Sequence, residues 1–273
     1  MIKVFFQASR ITNLGIGIVC SLVTFLKVPN DNFLSFLIGT LIVFLLMVAS
    51  NLTNDIYDIK SDKVNKPCRP LVKYPGLKKS FQILALLSFF ASTLLSIFIS
   101  QIIFLIVLFS VPVLFFYTPI LKGVPLLGNI MVSFYLGFVF IFIEICVSGD
   151  VSVMILPALF AFGISLIREI IKDVEDYSGD KLAKIKTLPV YIGVKKTIYI
   201  SCFFMILFLL FCGSLIFFKN NFYYNISVFF LVFMPIFYLI FFLVKDPTSK
   251  ACFRASALLK KITILGLIII YII

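Results

Sequence analysis

Histidine and tryptophan are both absent from this chain of 273 residues, and acid is scarce: 12 Asp and Glu stand against 24 Lys and Arg. Without histidine there is no imidazole general base, no histidine-ligated haem and no His-rich metal site. Without tryptophan, an aromatic belt at a membrane surface falls to tyrosine and phenylalanine. Charged residues make up only 13% of the chain, which excludes an ordinary soluble domain of this length. The six cysteines (Cys20, Cys68, Cys146, Cys202, Cys212, Cys252) include no CxxC pair. Five read as small packing residues in or near apolar stretches, and Cys68 lies in a polar loop where a structural disulfide is not expected. The start, Met1 to Arg10, lacks a long apolar core ending in small residues, so no cleavable signal is expected.

What is present is apolar. Hydrophobic residues make up 62% of the chain, and mean hydropathy is +1.17. Nine apolar stretches stand out, at 11–28, 33–54, 79–99, 102–118, 127–147, 151–172, 197–218, 223–244 and 255–273. Each is near the roughly 17–25 residues that cross a bilayer as a helix. The expected fold is an all-α polytopic membrane protein, a single domain over 1–273 with nine transmembrane helices.

The net charge of +12 would suit a nucleic-acid partner, but its distribution argues for a membrane instead. With the ends of the nine stretches numbered alternately from the inside, 22 of the 24 Lys and Arg fall on one side; Lys27 and Lys219 are the exceptions. The positive-inside rule then puts the amino terminus in the cytoplasm and the carboxyl terminus outside. Outer loops are short (27–32, 100–101, 148–150, 219–222), and two inner loops, about 63–80 and 181–196, are long and polar.

The scarce acid is concentrated. Eight of the 12 acids lie in two segments, Asn51 to Lys63 and Glu169 to Lys181. Asp55, Asp58 and Asp62 are spaced i, i+3, i+7, and Asp173, Asp176 and Asp180 repeat that spacing 118 residues later; Asn51 and Glu169 precede them at i−4. On a helix these positions fall within about 60° of one face. Carboxylates stacked in this way repel one another unless a cation lies between them. The repeat continues in Lys63 and Lys66, which match Lys181 and Lys184. Matched halves tend to place a site at their interface. A solvated, salt-bridged helix end neutralised by Lys60, Lys63, Lys181 and Lys184 is the alternative for either cluster alone. Two copies at one spacing, both on the inner side, point instead to Mg²⁺ and a diphosphate. The first cluster is expected to continue its helix until Pro67, and the second to end at Ser178-Gly179. Arg168, Glu169 and Lys172 lie near membrane depth, where ionisable groups are costly.

Asn54-Asp55-x-x-Asp58-x-x-x-Asp62 followed by Asn65-Lys66-Pro67-x-Arg69-Pro70 resembles the first motif of the UbiA superfamily of intramembrane prenyltransferases. Asp173, Asp176 and Asp180 resemble its second motif. Tyr117-x-Pro-x-Leu-Lys122 with Pro125-Leu-Leu-Gly-Asn129 is similar to its middle loop, and Arg10-x-x-Asn13 to its amino-terminal motif. The resemblance runs from position 10 to about 190. It implies nine helices around a lipid-open central cavity, with the acid motifs at the cytoplasmic ends of helices 2 and 6, and Mg²⁺-dependent prenyl transfer. It carries metal binding onto Asn54, Asp58, Asp62, Asp176 and Asp180, with Asp55 and Asp173 as further acids of the motifs. Arg10, Lys66, Arg69, Tyr117 and Lys122 become candidates for the diphosphate, against simple positive-inside anchoring or, for Tyr117, a belt role.

The second motif, with Arg168, Glu169 and Lys172 ahead of it, resembles the archaeal ether-lipid branch of the family. That branch implies transfer of a geranylgeranyl group from geranylgeranyl diphosphate to the glycerol hydroxyl of geranylgeranylglyceryl phosphate. Arg168 and Lys172, spaced i, i+4, would hold the acceptor phosphate or else neutralise Glu169 and Asp173. Asn13 joins them as an acceptor-side candidate. With no histidine, the hydroxyl proton goes to a motif carboxylate or to released diphosphate. The expected partners are a prenyl diphosphate, a lipid-phosphate acceptor and membrane lipids, with no nucleic acid and no obligate protein partner. The expected location is the plasma membrane. An aromatic quinone precursor is the competing acceptor, and an ion-coupled secondary transporter is the competing class. Glu144 and Asp150 receive no role.

Overall fold

The computed structural model describes residues 4, 7–29, 32–219 and 221–272. Positions 30, 31 and 220, expected in two outer loops, lie outside the described residues. All regular structure among the described residues is helical: α1 (Ile11–Lys27), α2 (Phe33–Tyr57), α3 (Ile59–Asn65), α4 (Pro70–Lys73), α5 (Lys78–Ile97), α6 (Gln101–Tyr117), α7 (Leu127–Ser148), α8 (Ile155–Glu175), α9 (Tyr177–Leu182), α10 (Leu188–Ile192), α11 (Val194–Lys219), α12 (Phe222–Val228), α13 (Met234–Lys245) and α14 (Ser249–Ile272). A π-helical turn, Phe229–Phe233, joins α12 to α13.

Each of the nine apolar stretches falls on a helix. Five helices among the described residues are long and apolar enough to cross a membrane: Phe33–Tyr57, Pro75–Ile97, Leu127–Ser148, Val194–Ile216 and Phe222–Lys245. Their surfaces expose many large side chains, Leu34, Phe90, Phe134, Leu210 and Phe241 among them. Apolar exposure on this scale suits lipid rather than water.

Local sequence sets the helix ends. Asn32, Ser100 and Asn221 accept backbone N–H groups of the first turns of α2, α6 and α12. Gly149 closes α7 at φ 77°, in the left-handed region that glycine adopts without strain. The start of α8 has no cap of its own. The Glu144 carboxylate, fully buried on α7, accepts the N–H groups of Ser152, Val153 and Met154 at 2.6–3.0 Å. Glu144 therefore has a structural role, tying two helices together and matching the positive end of α8. The Asp150 carboxylate accepts the neighbouring Val151 N–H at 2.7 Å, and its carbonyl accepts from Ser148 Oγ at 3.3 Å.

Several buried hydroxyls in the apolar helices pair with their own helix, although Thr40 Oγ1 on α2 is buried without a partner. Ser21, Thr24, Thr53, Ser133 and Thr197 each donate to the carbonyl four residues earlier. Five of the cysteines are buried and Cys68 is exposed; all six are free.

Two apolar cores flank a central cavity. One is built around α1, α2, α6 and α7, with Ile42, Ile103, Phe140 and Ile143 at its centre. The other is built from α8 and α11 to α14, around Ile164, Met205, Val232 and Leu259. Helix α7 presses closely on α8: a Cβ at Gly137 would lie 2.5 Å from the Ala158 carbonyl oxygen.

Two helix boundaries differ from expectation. The α2 helix does not run on to Pro67; it breaks at Asp58, and α3 starts at Ile59. The α8 helix does not end at Ser178-Gly179; it breaks at Asp176, and α9 starts at Tyr177. The cause lies in tertiary contacts, described next.

Candidate active site at the mouth of the helical cavity

The two breaks share one geometry. Asp58 has φ −83° and ψ 3°, and Asp176, 118 positions later, has φ −86° and ψ 2°. The four-residue hydrogen bonds continue through each. The Asp58 N–H reaches the Asn54 carbonyl at 2.8 Å, and the Asp176 N–H reaches that of Lys172 at 2.9 Å. Each break redirects a short acidic helix without interrupting its bonding. As a result α3 and α9 pack against each other.

That packing depends on one glycine and one asparagine. A Cβ on Gly179 would lie 2.4 Å from both the Ser61 carbonyl oxygen and Asn65 Nδ2, so only glycine fits. Asn65 Nδ2 donates to the Asp176 carbonyl at 2.7 Å, and Asn65 Oδ1 accepts the Gly179 N–H at 2.9 Å. Lys66 Nζ lies 2.5 Å from Asp176 Oδ2. The first half thus ties down the second. The halves part company at the next repeat position: Lys184, the match of Lys66, is exposed and in the left-handed region at φ 59°.

The loop from α6 to α7 and the first turn of α7 brace the two acid motifs. Lys122 Nζ lies 2.6 Å from Asp58 Oδ1 in the first. Asn129 Nδ2 donates to Asp173 Oδ2 at 2.8 Å in the second. Thr118 donates to Asn54. The lysines that the alternative reading of a salt-bridged helix end required, Lys60, Lys63, Lys181 and Lys184, form no ion pair among the described residues. Their place is taken by Arg10, Lys66, Arg69 and Lys122.

Asp55 is set apart. It is 2% exposed and does not line the cavity. Its Oδ1 faces Arg10 at 3.3 Å and Arg69 at 3.6 Å. Arg10 is held in the left-handed region at φ 54°, an uncommon conformation for a side chain of its size. Asp55 therefore orients two guanidinium groups rather than facing a ligand itself. On α8, Glu169 binds both Arg168 and Lys172, each at 2.8 Å.

The cavity has a volume of about 600 Å³. Of the 15 residues singled out in the sequence, 14 line it: Asn54, Asp58, Asp62, Asp173, Asp176, Asp180, Arg10, Lys66, Arg69, Tyr117, Lys122, Asn13, Arg168 and Lys172. Asp55 is the exception. Polar side chains gather at one end. Below them the wall is apolar and includes Phe138, Phe140, Phe142 and Phe160, four of the chain's 34 phenylalanines. Sequence reasoning missed Lys260, Thr263, Gly266 and Leu267 of α14, which also reach the cavity. It gave no role to Asn65 beyond the motif, and none to Gly179. The only sequence signal for either was its place inside a motif.

Burial raises two of the motif carboxyls in spite of nearby cations. Burial pushes the Asp62 carboxyl up to about 6, against the pull of Arg69. Burial likewise pushes Asp180 up to about 6, against Lys122. Asp180 Oδ2 and Asp55 Oδ2 are buried with no hydrogen-bond partner, as are Arg10 Nε and Arg168 Nε. No three acidic side chains among the described residues converge tightly enough to enclose an ion by themselves. This suits Mg²⁺, which keeps water and takes one or two carboxylates together with phosphate oxygens. The donor set is all oxygen and fits such an ion.

Comparison with known proteins agrees with this geometry. The UbiA prenyltransferase family model matches residues 16–262. A digeranylgeranylglyceryl phosphate synthase from Methanococcus maripaludis strain C7 is 36% identical over 238 residues, covering 85% of this chain and 82% of that protein. One from Saccharolobus solfataricus is 30% identical over 277 residues, covering 98% and 95%. A solved structure described as digeranylgeranylglyceryl phosphate synthase in membranes superposes with a TM-score of 0.74 at 25% identity, covering 99% of this chain and 97% of that one. A UbiA homologue from Archaeoglobus fulgidus, bound to DMAPP and Mg²⁺, superposes with a TM-score of 0.71 at 16% identity, covering 98% and 99%; it speaks for the fold alone. The chain belongs to the UbiA prenyltransferase family.

Proposed function

We propose that the chain is a digeranylgeranylglyceryl phosphate synthase. It transfers a geranylgeranyl group from geranylgeranyl diphosphate to the glycerol hydroxyl of geranylgeranylglyceryl phosphate and forms the second ether bond of an archaeal-type membrane lipid. The observation that carries this reading is the meeting of two acid motifs, 118 residues apart, at one end of an apolar cavity. The relatives' names supply the acceptor class.

Each part of the wall has a task in this reading. Asn54, Asp58, Asp62, Asp173, Asp176 and Asp180 are the metal-side oxygens. Bound Mg²⁺ supplies charge stabilisation for the departing diphosphate. Arg10, Lys66, Arg69, Tyr117 and Lys122 face the diphosphate; the arginines offer planar forks and the lysines point charges. Lys66 and Lys122 rest on Asp176 and Asp58, so they stand beside the place where negative charge develops. The C1–O bond of the allylic diphosphate breaks and its electron pair leaves with the diphosphate. The glycerol C2 oxygen then attacks C1. Its proton passes to the diphosphate or to a motif carboxylate. The apolar wall holds the prenyl chain and keeps water from the allylic cation, with phenylalanine faces toward it. Arg168, Lys172 and Asn13 lie on the acceptor side.

The reading places the whole chain, 1–273, in one transmembrane domain of nine spans in the plasma membrane. The amino terminus and active site face the cytoplasm and the carboxyl terminus lies outside. The charge asymmetry, with 22 of 24 cationic residues on one side, supports this orientation.

The test is incubation of purified protein with labelled geranylgeranyl diphosphate, Mg²⁺ and either acceptor class. Ether product with geranylgeranylglyceryl phosphate is expected. Product formed only with an aromatic acceptor would overturn the assignment.

A further inference from the structure

Seven cationic side chains line the cavity: Arg10, Lys66, Arg69, Lys122, Arg168, Lys172 and Lys260. Six of them form an ion pair with a carboxylate of the site, through Asp55, Asp58, Asp62, Asp176 or Glu169. Lys260 is the exception among the described residues. Its Nζ donates to the neutral Thr12 Oγ1 at 2.8 Å. Lys260 is on α14, which packs on both α8 and α1. Arg168 and Lys172 are near enough to repel it. Arg168 Nε is buried without a partner.

Lys260 Nζ and the Nε edge of Arg168 offer N–H donors at the cavity that no carboxylate of the site engages among the described residues. The diphosphate end of the cavity already has four cations of its own. We infer that Lys260, with Thr12 and the free Nε edge of Arg168, holds a second anion: the phosphomonoester of the acceptor. This rests on the proposed phosphorylated acceptor and deepens it, because it names the last helix as the element that reads that phosphate. Lys260 sits at the right kind of place for an amphiphile. Thr263, one turn further along α14, and Gly266 and Leu267, about two turns further, also line the cavity. A headgroup at Lys260 would lead its isoprenyl chain along that face.

Lys261 provides the internal control. It is adjacent in sequence and carries the same charge, but is exposed and does not line the cavity. The experiment is steady-state kinetics of K260Q, K260R and K261Q with geranylgeranyl diphosphate and geranylgeranylglyceryl phosphate. K260Q is expected to raise the acceptor KM about tenfold or more, with the diphosphate KM within about twofold of the parent. K260R is expected to keep most of the acceptor affinity and K261Q all of it. Equilibrium binding of the dephosphorylated acceptor, geranylgeranylglycerol, is expected to be equal in the parent and K260Q. Phosphatidic acid, a phosphomonoester drawn from the bilayer rather than from the acceptor, is expected to compete poorly.

An unchanged acceptor KM in K260Q, a parallel rise in both substrates' KM, or an equal effect of K261Q would overturn the role of Lys260 while leaving the transferase reading intact. Displacement of the acceptor by phosphatidic acid at matched concentration would overturn the acceptor as the source of the phosphate. Failure of the parent protein to use any phosphorylated acceptor would sink the transferase reading and this inference with it.

Discussion

Asn65 spans a helix break that belongs to the other half of the chain. Its amide donates to the Asp176 carbonyl at 2.7 Å and accepts the Gly179 N–H at 2.9 Å, across 111 and 114 residues of sequence. The side chain thus fixes where the second acid motif points. N65A removes both bonds and leaves two backbone groups in search of partners, at a cost of about 1–3 kcal/mol. The expected outcome is a fivefold or greater rise in the Mg²⁺ concentration needed for half-maximal diphosphate release. An unchanged Mg²⁺ titration would show that the second motif holds its aim without Asn65.

Gly179 is the steric counterpart of that clasp. G179A puts a methyl group 2.4 Å from the Ser61 carbonyl oxygen, a distance that backbone cannot yield cheaply. Helices α3 and α9 must separate. Activity is expected to drop at least tenfold with the protein still folded, as judged by size-exclusion chromatography and circular dichroism. Full activity in G179A would mean that the two acid motifs need not be in contact.

Asp58 and Asp176 should be indispensable and Asp55 should not behave like them. D58A and D176A are each expected to lower Mg²⁺-dependent diphosphate release at least a hundredfold. D55N leaves the cavity wall intact but loosens Arg10 and Arg69. Its expected signature is a raised KM for the prenyl diphosphate with the Mg²⁺ requirement unchanged. Equal loss in all three variants would place Asp55 among the metal-side groups.

Asp62 and Asp180 link pH to metal. Their ordinary carboxyl value of 3.8 is raised to about 6 in the folded protein. Each therefore favours the fold when protonated, below about 4, and that contribution is lost as pH rises through about 6. In metal-free protein the two groups are expected to lower Tm across this window. Mg²⁺ has to displace their protons, so the rise in Tm on adding Mg²⁺ should be larger at pH 7.5 than at pH 5. Activity is expected to fall on acidification through about pH 6. A Tm shift by Mg²⁺ that does not vary with pH would rule out these carboxyls as its ligands.

Glu144 lies far along α7 from the acids and governs stability instead. E144A strips the start of α8 of the carboxylate that accepts three backbone N–H groups. The expected loss is about 2–3 kcal/mol of stability, read as a lowered Tm. Both substrates' KM values are expected to stay as in the parent protein. A shift in KM would connect this cap to the site.

Much of this arrangement was legible in the sequence because it depends on local spacing. The i, i+3, i+7 aspartates, the loop from Tyr117 to Asn129 and the apolar stretches are short-range patterns, and 14 of the 15 residues they suggested face one cavity. What stayed hidden depends on contacts between distant segments. Nothing next to Asp58 in sequence forces a helix to break, and the Ser178-Gly179 signal after Asp176 points to an end two residues later than the break. The breaks are held by Asn65, Lys66 and Lys122 from elsewhere. Asp55 looks like its neighbours in spacing, but Arg10 and Arg69 draw it away from the cavity. Lys260 looked like one more inner-side cation, because no local motif surrounds it. The cap on α8 was illegible for the same reason: Glu144 and its partners lie on either side of a turn, in stretches that read only as apolar.

The resting site is already neutralised by its own cations: Asp176 by Lys66, Asp58 by Lys122, Asp62 in part by Arg69. A bare divalent ion must compete with ammonium groups already seated on its ligands, and a bare diphosphate must compete with carboxylates already seated on its own. Bound together, the ion would take the place of the ammonium groups on Asp58 and Asp176, and the diphosphate would take the place of those carboxylates on Lys122 and Lys66. Such a lock admits the ion and its passenger as one key. The empty protein is therefore expected to bind Mg²⁺ alone or pyrophosphate alone more weakly than the two together.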